Sequence, residues 1–163
     1  MISKKIIKEN GVIEYYNKYG ELHRENGPAV IKTNGTNFWY LKGHRHREDG
    51  PAVVIKPDGY KAWFIDGLYH NEDGPAIIYS DGTQKYYING KFHREDGPAI
   101  IRPDGYQAWY IKGEPHREDG PAKIYSNGAE EYYINGKKVT SEEFLKFKVK
   151  NIKNAKINFG IKN

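Results

Sequence analysis

One heptapeptide recurs five times along this chain and limits what the chain can fold into. It reads HRENGPA from His23, HREDGPA from His46, HNEDGPA from His70, and HREDGPA from both His93 and His116. The steps between these histidines are 23, 24, 23 and 23 residues. A period of this length is typical of repeat proteins, in which stacked copies of one small unit bury a continuous core. Each residue is therefore interpreted as a column of an array.

Each heptapeptide is followed by the sequence pattern of a β-hairpin. A short apolar run leads to Asn-Gly or Asp-Gly, an aromatic run follows, and another glycine comes eight residues after the turn glycine. Asn-Gly and Asp-Gly between strand-forming runs are strong hairpin signals because both residues tolerate a positive φ. The pattern predicts an all-β fold, an elongated repeat ribbon of antiparallel β-hairpins, with one hairpin per 23–24 residues. The extra residue of the second repeat, in Val53-Val54-Ile55, indicates a β-bulge or a looser turn.

The ends of the array differ from the repeats and are interpreted as caps. The chain is expected to be a single repeat domain over residues 1–163, with an N-terminal cap at 1–21, five repeats at 22–136 and a C-terminal cap with a basic tail at 137–163. Tyr15-Tyr16 and Gly20 match the aromatic pair and closing glycine of later repeats, so the first segment is interpreted as a degraded second strand.

The C-terminal cap carries a helix signal. Thr140 and Glu143 have the spacing of a capping box and precede Phe144-Leu145, which predicts a short capping helix over the last hairpin. Residues 156–162 alternate apolar with polar side chains and predict a closing edge strand, whose lysines would discourage aggregation.

Side chains alternate between the two faces of a strand, so the apolar columns sort into two groups. The first group is predicted to form the core face, because small alanines opposite large rings make room for the indoles. It comprises Ala29, Ala52, Ala76, Ala99 and Ala122 with Ile31, Val54, Ile78, Ile101 and Ile124, and Trp39, Trp63, Tyr86, Trp109 and Tyr132 with Leu41, Ile65, Ile88, Ile111 and Ile134. The second group comprises Tyr40, Phe64, Tyr87, Tyr110 and Tyr133 beside Val30, Val53, Ile77, Ile100 and Lys123. This second face is also mostly apolar, so either it packs on itself and on the caps or it is a partner surface.

The heptapeptide itself is predicted to be a structural loop between hairpins. Gly-Pro begins a strand where the missing proline donor is tolerated, and Glu-Asp-Gly suits a turn with a positive φ at the glycine. The His and Arg are interpreted as fasteners that hydrogen-bond neighbouring loops or pair with acids of the next repeat. A catalytic site would need these residues only once.

The net charge of +5 is distributed unevenly. Residues 21–144 carry 16 basic and 19 acidic side chains, a net charge of −3, whereas Lys146 to Lys162 include six lysines and no acid. A nucleic-acid groove needs a basic face along the repeats, so nucleic acid is not an expected partner of the repeats. The lysine-rich tail is either a solvated cap or a contact for an acidic partner or anionic lipid.

Cysteine is absent, which excludes disulfides, a thiol nucleophile and a thiolate metal site. The N-terminal residues lack the apolar core of a signal peptide, and no apolar run reaches membrane-spanning length. The expected location is the cytoplasm, or the host cytoplasm if the chain is viral.

A family resemblance rests on the 23-residue period, the Trp/Tyr-x-x-Gly end, the start at Gly90-Lys91-Phe92-His93 and the following Asp-Gly or Asn-Gly turn. In these features residues 10–138 resemble the MORN repeat family, in the variant marked by His-Arg-Glu-Asp-Gly-Pro-Ala. The resemblance implies a ribbon of antiparallel hairpins that acts as a scaffold or membrane-associated interaction module. The variant is similar to proteins of bacteria, phages and giant viruses. Pro-Ala replaces the usual second glycine and Glu-Asp is inserted, so phospholipid contacts of the family do not carry over residue by residue.

The sequence lacks the constellations of common enzymes and metal sites. It has no Gly-x-Ser-x-Gly elbow and no phosphate-cradling loop, and pairs such as Glu95-Asp96 recur in loops as turn formers. Equivalent histidines lie two strands apart, about 9–10 Å, which is too far to share a zinc ion. His44 and His46 form the only close pair and have no evident third ligand. We therefore expect no enzyme, no catalytic residue, no metal and no cofactor.

The predicted function is a non-catalytic repeat scaffold that binds a protein partner through the aromatic face of its sheet. The candidate contacts are Tyr40, Phe64, Tyr87, Tyr110 and Tyr133, with Arg47, Arg94 and Arg117 as a charged rim. Aromatic and arginine side chains dominate binding hot spots. The alternative is a ligand-capture module for a nucleotide, glycan or anionic lipid, including a viral inhibitor of host defence. A homodimer that pairs the apolar second faces also stays open.

Overall fold

The computed structural model describes residues 3–158, and the side chains of residues 3–152. It contains short strands followed by one helix. In chain order these are β1 (Lys4–Ile7), β2 (Ile13–Tyr16), β3 (Val30–Ile31), β4 (Asn37–Phe38), β5 (Tyr40–Leu41), β6 (His44–Arg45), β7 (Val53–Val54), β8 (Lys61–Ala62), β9 (Phe64–Ile65), β10 (Leu68–Tyr69), β11 (Ile77–Ile78), β12 (Gln84–Lys85), β13 (Tyr87–Ile88), β14 (Lys91–Phe92), β15 (Ile100–Ile101), β16 (Gln107–Ala108), β17 (Tyr110–Ile111), β18 (Glu114–Pro115), β19 (Lys123–Ile124), β20 (Glu130–Ile134), β21 (Lys137–Val139) and α1 (Ser141–Asn158).

A 13-stranded antiparallel sheet runs through the array in the order β1-β2-β3-β4-β7-β8-β11-β12-β15-β16-β19-β20-β21. Its hairpins close as the sequence predicts. The Lys32 N–H donates to the Thr36 carbonyl at 2.9 Å, and the N–H of Gly35, whose φ is 81°, donates to the Lys32 carbonyl at 3.0 Å. The predicted fold class, an all-β ribbon of hairpins with a C-terminal helix, is confirmed.

Each repeat also contains a second, shorter hairpin, which was not predicted from the sequence. In the first repeat β5 pairs with β6 around Lys42-Gly43, whose φ values are 50° and 79°. The equivalent turns are Asp66-Gly67, Asn89-Gly90, Lys112-Gly113 and Asn135-Gly136, all with two positive φ values. Two consecutive positive φ values define a type I′ turn, which favours Asn-Gly and Asp-Gly.

The N-terminal segment is a complete main-sheet hairpin and not only a degraded second strand. β1 pairs with β2, and Gly11, with φ of 79°, donates its N–H to the Lys8 carbonyl at 2.9 Å, as Gly35 does to Lys32. β1 and β2 therefore belong to the main sheet of the array.

The extra residue of the second repeat lies in its turn. The Ile55 N–H donates to the Tyr60 carbonyl at 2.9 Å, so this turn is one residue longer than that between Lys32 and Thr36. Of the two predicted explanations, the looser turn is therefore correct.

The buried core lies not on the predicted core face but mainly on the second of the two predicted faces, the one that carries Phe64. We call this the inner face; it carries Val30, Val53 and Ile77. The buried cluster comprises Ala52, Val53, Ala62, Phe64 and Ile77, and half-buried Phe38, Trp39, Ile55, Tyr60, Tyr69, Tyr79 and Tyr87 pack against it. The alanines of the predicted core face, Ala29, Ala52, Ala76, Ala99 and Ala122, are fully buried as expected.

The opposite side, the outer face, carries the branched residues that were predicted to be core. Across the ladder Ile31 pairs with Asn37, Val54 with Lys61, and Ile78 with Gln84. Apolar and polar side chains thus alternate along this face, as on a sheet face that meets solvent. The assignment of these residues to the core face is wrong.

The heptapeptide histidine fastens one repeat to the next, as predicted. Its Nδ1 accepts a hydrogen bond from the backbone N–H of the first type I′ turn residue, 19 or 20 positions later. The donors are Lys42, Asp66, Asn89, Lys112 and Asn135, at 3.1, 3.2, 3.2, 3.1 and 3.0 Å.

The heptapeptide arginine closes its own loop. Arg94 Nε donates to Asp96 Oδ1 at 2.8 Å, Nη1 donates to the Pro98 carbonyl at 3.4 Å, and the guanidinium lies 4.1 Å from the centroid of the Tyr86 ring. The loops of Arg47 and Arg117 repeat this arrangement.

At Gly50, Gly97 and Gly120 the loop glycine makes room for the arginine and is not required by its backbone angle. A positive φ occurs at Gly27 but not at Gly50, Gly74, Gly97 or Gly120, which corrects the predicted turn. A Cβ on Gly97 would lie 3.1 Å from Cζ of Arg94, closer than most packed carbons approach each other. Glycine thus allows the guanidinium to lie against the backbone.

Helix α1 covers the last hairpin. The Thr140 N–H donates to Glu143 Oε2 at 2.8 Å and the Glu143 N–H donates to Thr140 Oγ1 at 3.2 Å, which confirms the capping box. Phe144, 4% exposed, packs on the Tyr132 ring at 4.9 Å between centroids. The helix continues to Asn158, so residues 156–158 are helical and not a strand, and residues 159–162 of the predicted strand lie outside the described residues.

Gly97→Ala is expected to lower the free energy of unfolding by about 1–3 kcal/mol, because its methyl group crowds the fixed Arg94 guanidinium. Gly74→Ala is the matched control, since its Cβ would meet the side chain of Asn71 at an ordinary 3.6 Å. Urea denaturation of both variants measures the difference. In an Arg94→Ala background the extra cost at Gly97 should vanish; equal costs at the two glycines would contradict this explanation.

Candidate functional site

A continuous row of stacked aromatic rings runs along the second hairpins. We call Phe64, Tyr69, Tyr87, Phe92 and Tyr110 the ring row. Successive ring centroids lie 4.3, 5.2, 4.2 and 5.1 Å apart. Distances of this size are typical of favourable aromatic pairs. The row therefore forms one ordered apolar surface across three repeats.

The backbone sets the spacing of the ring row. Tyr87 and Phe92 are directly opposite each other in one hairpin. The next hairpin is joined to it by the Arg94 N–H, which donates to the Tyr110 carbonyl at 3.1 Å, and by the Gly113 N–H, which donates to the Phe92 carbonyl at 2.8 Å. Neighbouring strands lie about 4.8 Å apart, so residues on one face stack at nearly ring-stacking distance.

Charged residues lie at both ends of the row. Arg45 places its guanidinium 5.3 Å from the Phe64 ring centroid and donates from Nε to the Tyr40 hydroxyl at 3.4 Å. Beyond Tyr110, the next hairpin carries Tyr133 opposite Lys138. The aromatic surface thus changes to a mixed, charged surface at its margins.

A second group of tyrosines lies on the same face, near the turns of the main sheet. Tyr60 and Tyr79 meet edge to face at 5.4 Å, and Tyr106 and Tyr125 do so at 5.5 Å. Tyr60 and Tyr79 pack against the same buried cluster as Tyr69 of the ring row. The two groups therefore flank the small, buried residues of the inner face.

Burial raises the pKa of the inner tyrosines further above physiological pH. The pKa of Tyr87 is raised to about 12. Desolvation is the largest cause, and the neighbouring Tyr79, Tyr69 and Tyr110 contribute less. Desolvation is also the main cause that raises the pKa of Tyr60, Tyr106 and Tyr110. These residues therefore present hydroxyl groups that can donate hydrogen bonds beside apolar rings.

Lys85 brings a positive charge onto the inner face. Its cross-strand neighbours are Ile77 and Ile100, and the corresponding strands carry Ala62 and Ala108 at this position. Its Nζ lies 3.3 Å from the Tyr79 hydroxyl and 4.9 Å from the centroid of that ring. Within residues 3–152 no carboxylate lies within ion-pair distance of Lys85, so its polar partner there is the Tyr79 hydroxyl, beside the ring of the same residue.

Glu131 occupies the same column near the C-terminal end. It accepts hydrogen bonds from the hydroxyls of Tyr125 and Tyr133 at 3.0 and 3.1 Å and from Lys138. The hydrogen bond from Lys138 is the largest cause that holds the pKa of Glu131 below its usual range. Unlike Lys85, this charge is already satisfied within the chain.

The structure divides the sequence-predicted contact residues. Tyr87 and Tyr110 are half-buried members of the ring row, and Tyr40 and Tyr133 are half-buried at the corresponding positions of flanking hairpins. Phe64 belongs to the ring row but is only 4% exposed, so it acts as a core residue and not as an exposed contact.

The three predicted rim arginines lie elsewhere. The guanidinium groups of Arg47, Arg94 and Arg117 stack on Trp39, Tyr86 and Trp109 at 4.2, 4.1 and 3.9 Å. Those rings each precede a residue of the Tyr40, Tyr87 and Tyr110 column and point to the opposite side of the strand. The arginines therefore belong to the structural loops and do not flank the ring row.

Clefts separate consecutive heptapeptide loops. One cleft of about 690 Å³ is lined by the loops of Arg94 and Arg117 and by Trp109, and similar clefts lie over Trp39 and Tyr86. The arginine donors that line them are already bonded to aspartates and proline carbonyls. The clefts thus arise from the repeated loop structure, and these arginine donors already have partners within it.

Sequence reasoning missed Tyr69, Phe92, Lys85 and Glu131. An aromatic residue directly before the heptapeptide histidine, in Gly-Leu-Tyr-His and Gly-Lys-Phe-His, was the available signal for the first two. Their separation of 23 residues places both in one column of the array. The two charged residues stand where β8 and β16 carry Ala62 and Ala108, and this difference becomes informative only once the inner face is known.

Within residues 3–152 no group of three His, Cys, Asp or Glu side chains is arranged to hold a metal ion. In the described part of the chain, no helix combines the length and apolar character needed to cross a membrane. Comparison with protein families and with curated proteins finds no match for this chain.

Tyr87 should make folding sensitive to alkaline pH. Below pH 10 its side chain is neutral in both the folded and the unfolded chain; between pH 10 and 12 the unfolded chain loses this proton first, so stability falls as pH rises. Tyr87→Phe should reduce that fall by about 1 kcal/mol, since solvent at the half-exposed ring screens part of the effect. Urea midpoints across this range provide the measurement.

The control for that measurement is Tyr19→Phe, which removes a tyrosine that is 72% exposed. The wild type and Tyr19→Phe should lose stability in parallel above pH 10. An unchanged pH dependence in Tyr87→Phe would show that burial of this hydroxyl does not contribute.

Proposed function

We propose that this chain is a non-catalytic repeat scaffold that binds a protein partner on its inner face. The observation that carries the proposal is the ring row, a continuous stack of rings with half-buried members at Tyr69, Tyr87, Phe92 and Tyr110. Half-buried rings offer large apolar area and their stacking already restricts their rotamers, so binding costs little side-chain entropy.

The chemistry of the inner face suits a polypeptide partner. Neutral tyrosine hydroxyls lie beside apolar ring surface, which is the mixture that favours protein interfaces. Lys85 stands among these rings and lacks a carboxylate within the described residues. A partner that places an Asp or Glu side chain opposite Lys85 would satisfy this charge while burying the rings around it.

The proposal of a non-catalytic role rests on what the titratable groups do. The heptapeptide histidines accept turn N–H groups, as His93 does from Lys112. The aspartates of the loops hold arginines, as Asp96 holds Arg94, and this hydrogen bond is the main cause of the lowered pKa of Asp96. Five copies of the histidine contact fasten the repeats, and this use supports a structural role for these residues.

The test is affinity capture from a bacterial lysate by the immobilised full chain, with the retained proteins and small molecules identified by mass spectrometry. Lys85→Glu and Tyr110→Ala should each reduce retention of the partner by about tenfold or more, as expected for central contacts of an interface. Lys61→Glu is the matched control, because it makes the same charge change on the exposed outer face.

The possible results separate the proposal from its alternative. Retention of the same polypeptide by all three variants would contradict an inner-face site. Retention of a nucleotide or glycan without a polypeptide would favour ligand capture, and turnover of an added substrate would overturn the non-catalytic role. Circular dichroism of Tyr110→Ala shows whether the fold is kept, and Lys85→Glu tests the site without removing a ring.

A further inference from the structure

The C-terminal helix carries an apolar stripe that the repeats do not cover. Leu145, Val149 and Ile152 are spaced four and three residues apart, so they lie on one side of α1. Their side chains are 60%, 51% and 50% exposed, and they are among the most exposed large apolar residues of the described chain. A stripe of this kind is typical of a helix that docks on something outside its own fold.

The stripe is distinct from the side that attaches the helix. Phe144 is buried against Tyr132 and holds the first turn on the last hairpin, together with the capping box. Adjacent residues on a helix point about 100° apart, so exposed Leu145 lies on a different side of the helix from buried Phe144. The helix is thus fixed by one side and free on another.

Positive charge is concentrated in the sequence of this helix and of the residues that follow it. The chain has a net charge of +5, but Lys146 to Lys162 alone contribute +6, which leaves −1 for the remainder. Lys146 and Lys150 are exposed on α1, and Lys148 donates from Nζ to the Asp119 carbonyl at 3.3 Å. The two helical acids, Glu142 and Glu143, lie in the first turn, and Glu142 Oε1 lies 3.0 Å from Nζ of Lys146 in an exposed ion pair.

We propose that α1 is a surface anchor that binds an anionic lipid bilayer. Leu145, Val149 and Ile152 enter the boundary between headgroups and acyl chains, and the lysines contact the negative headgroups. A helix with an apolar side and a lysine-rich side lies in the plane of a bilayer surface, and its binding grows with the charge of the lipids.

The chemistry of the stripe favours a bilayer over an acidic protein. The stripe is aliphatic and contains none of the Trp, Tyr or Arg side chains that anchor specific protein interfaces. Every basic residue of the helix is lysine, a flexible point charge without the planar fork that arginine offers to a fixed carboxylate. Such residues suit a fluid surface whose headgroups can move toward them. This anchor and the inner-face site are separate surfaces, so one can fail without the other.

Co-sedimentation of the full chain with lipid vesicles tests the proposal. The chain should bind vesicles that contain about one third phosphatidylserine at least tenfold more tightly than vesicles of phosphatidylcholine alone. Leu145→Ser with Val149→Ser should weaken binding by about tenfold or more, because these side chains no longer enter the bilayer. Replacement of Lys146 and Lys150 by Gln should weaken it by about fivefold per lysine.

The matched control is the pair Ile7→Ser and Leu68→Ser, which removes exposed apolar side chains, 65% and 51% exposed, outside the helix. This pair should bind like the wild type. All variants keep Phe144, Thr140 and Glu143, so the attachment of the helix is preserved, and circular dichroism verifies the fold.

Three results would overturn the proposal. The first is no binding to anionic vesicles at low salt. The second is binding that the Leu145 and Val149 substitutions leave unchanged, which would show adsorption through lysines alone. The third is capture of an acidic protein that depends on the stripe while vesicles are not bound, which would assign the stripe to a protein partner.

Discussion

The hydrogen bond from a type I′ turn to the heptapeptide histidine is the contact on which the spacing of the whole array depends. The donor residue has a positive φ, 53° at Lys112, so its N–H points out of the turn toward His93 of the preceding loop. Because the contact recurs in every loop at 3.0–3.2 Å, each second hairpin has one position relative to the loop before it. The arginine stack then fixes the loop itself.

This spacing creates the candidate surface. The rings of the inner face stack because the second hairpins are held at strand distance by backbone bonds such as that from Gly113 to Phe92. Three regions of the molecule therefore have different structural or proposed binding roles. The heptapeptides hold the repeats together, the ring row and Lys85 are proposed to receive a partner, and the exposed stripe of α1 is proposed to meet lipid.

Much of the fold follows from local signals in the sequence. The Asn-Gly and Asp-Gly turns, the buried alanine column, the capping box at Thr140 and the fastening role of the histidines are all confirmed. The second hairpin was missed although turns such as Asp66-Gly67 and Asn89-Gly90 carry the same signal, because the closing glycine was interpreted as the end of the repeat. Alternation places the side chains of Tyr87 and Tyr86 on opposite faces of the strand, but it does not indicate which face is buried. The candidate site depends on that choice, and only the packing of Phe64 and Ile77 decides it. The MORN resemblance stays a prediction.

The central claim, that each repeat is held by contacts with its neighbours alone, can be tested by removing residues 70–92. This deletion joins Tyr69 to His93 and takes out one period of 23 residues, so every turn, loop and ladder keeps its register. Equilibrium urea denaturation should show a folded chain with a single cooperative transition and a lower midpoint, because one repeat and one interface are lost. An unfolded chain, or two separate transitions, would show that a repeat depends on more than the contacts with its neighbours.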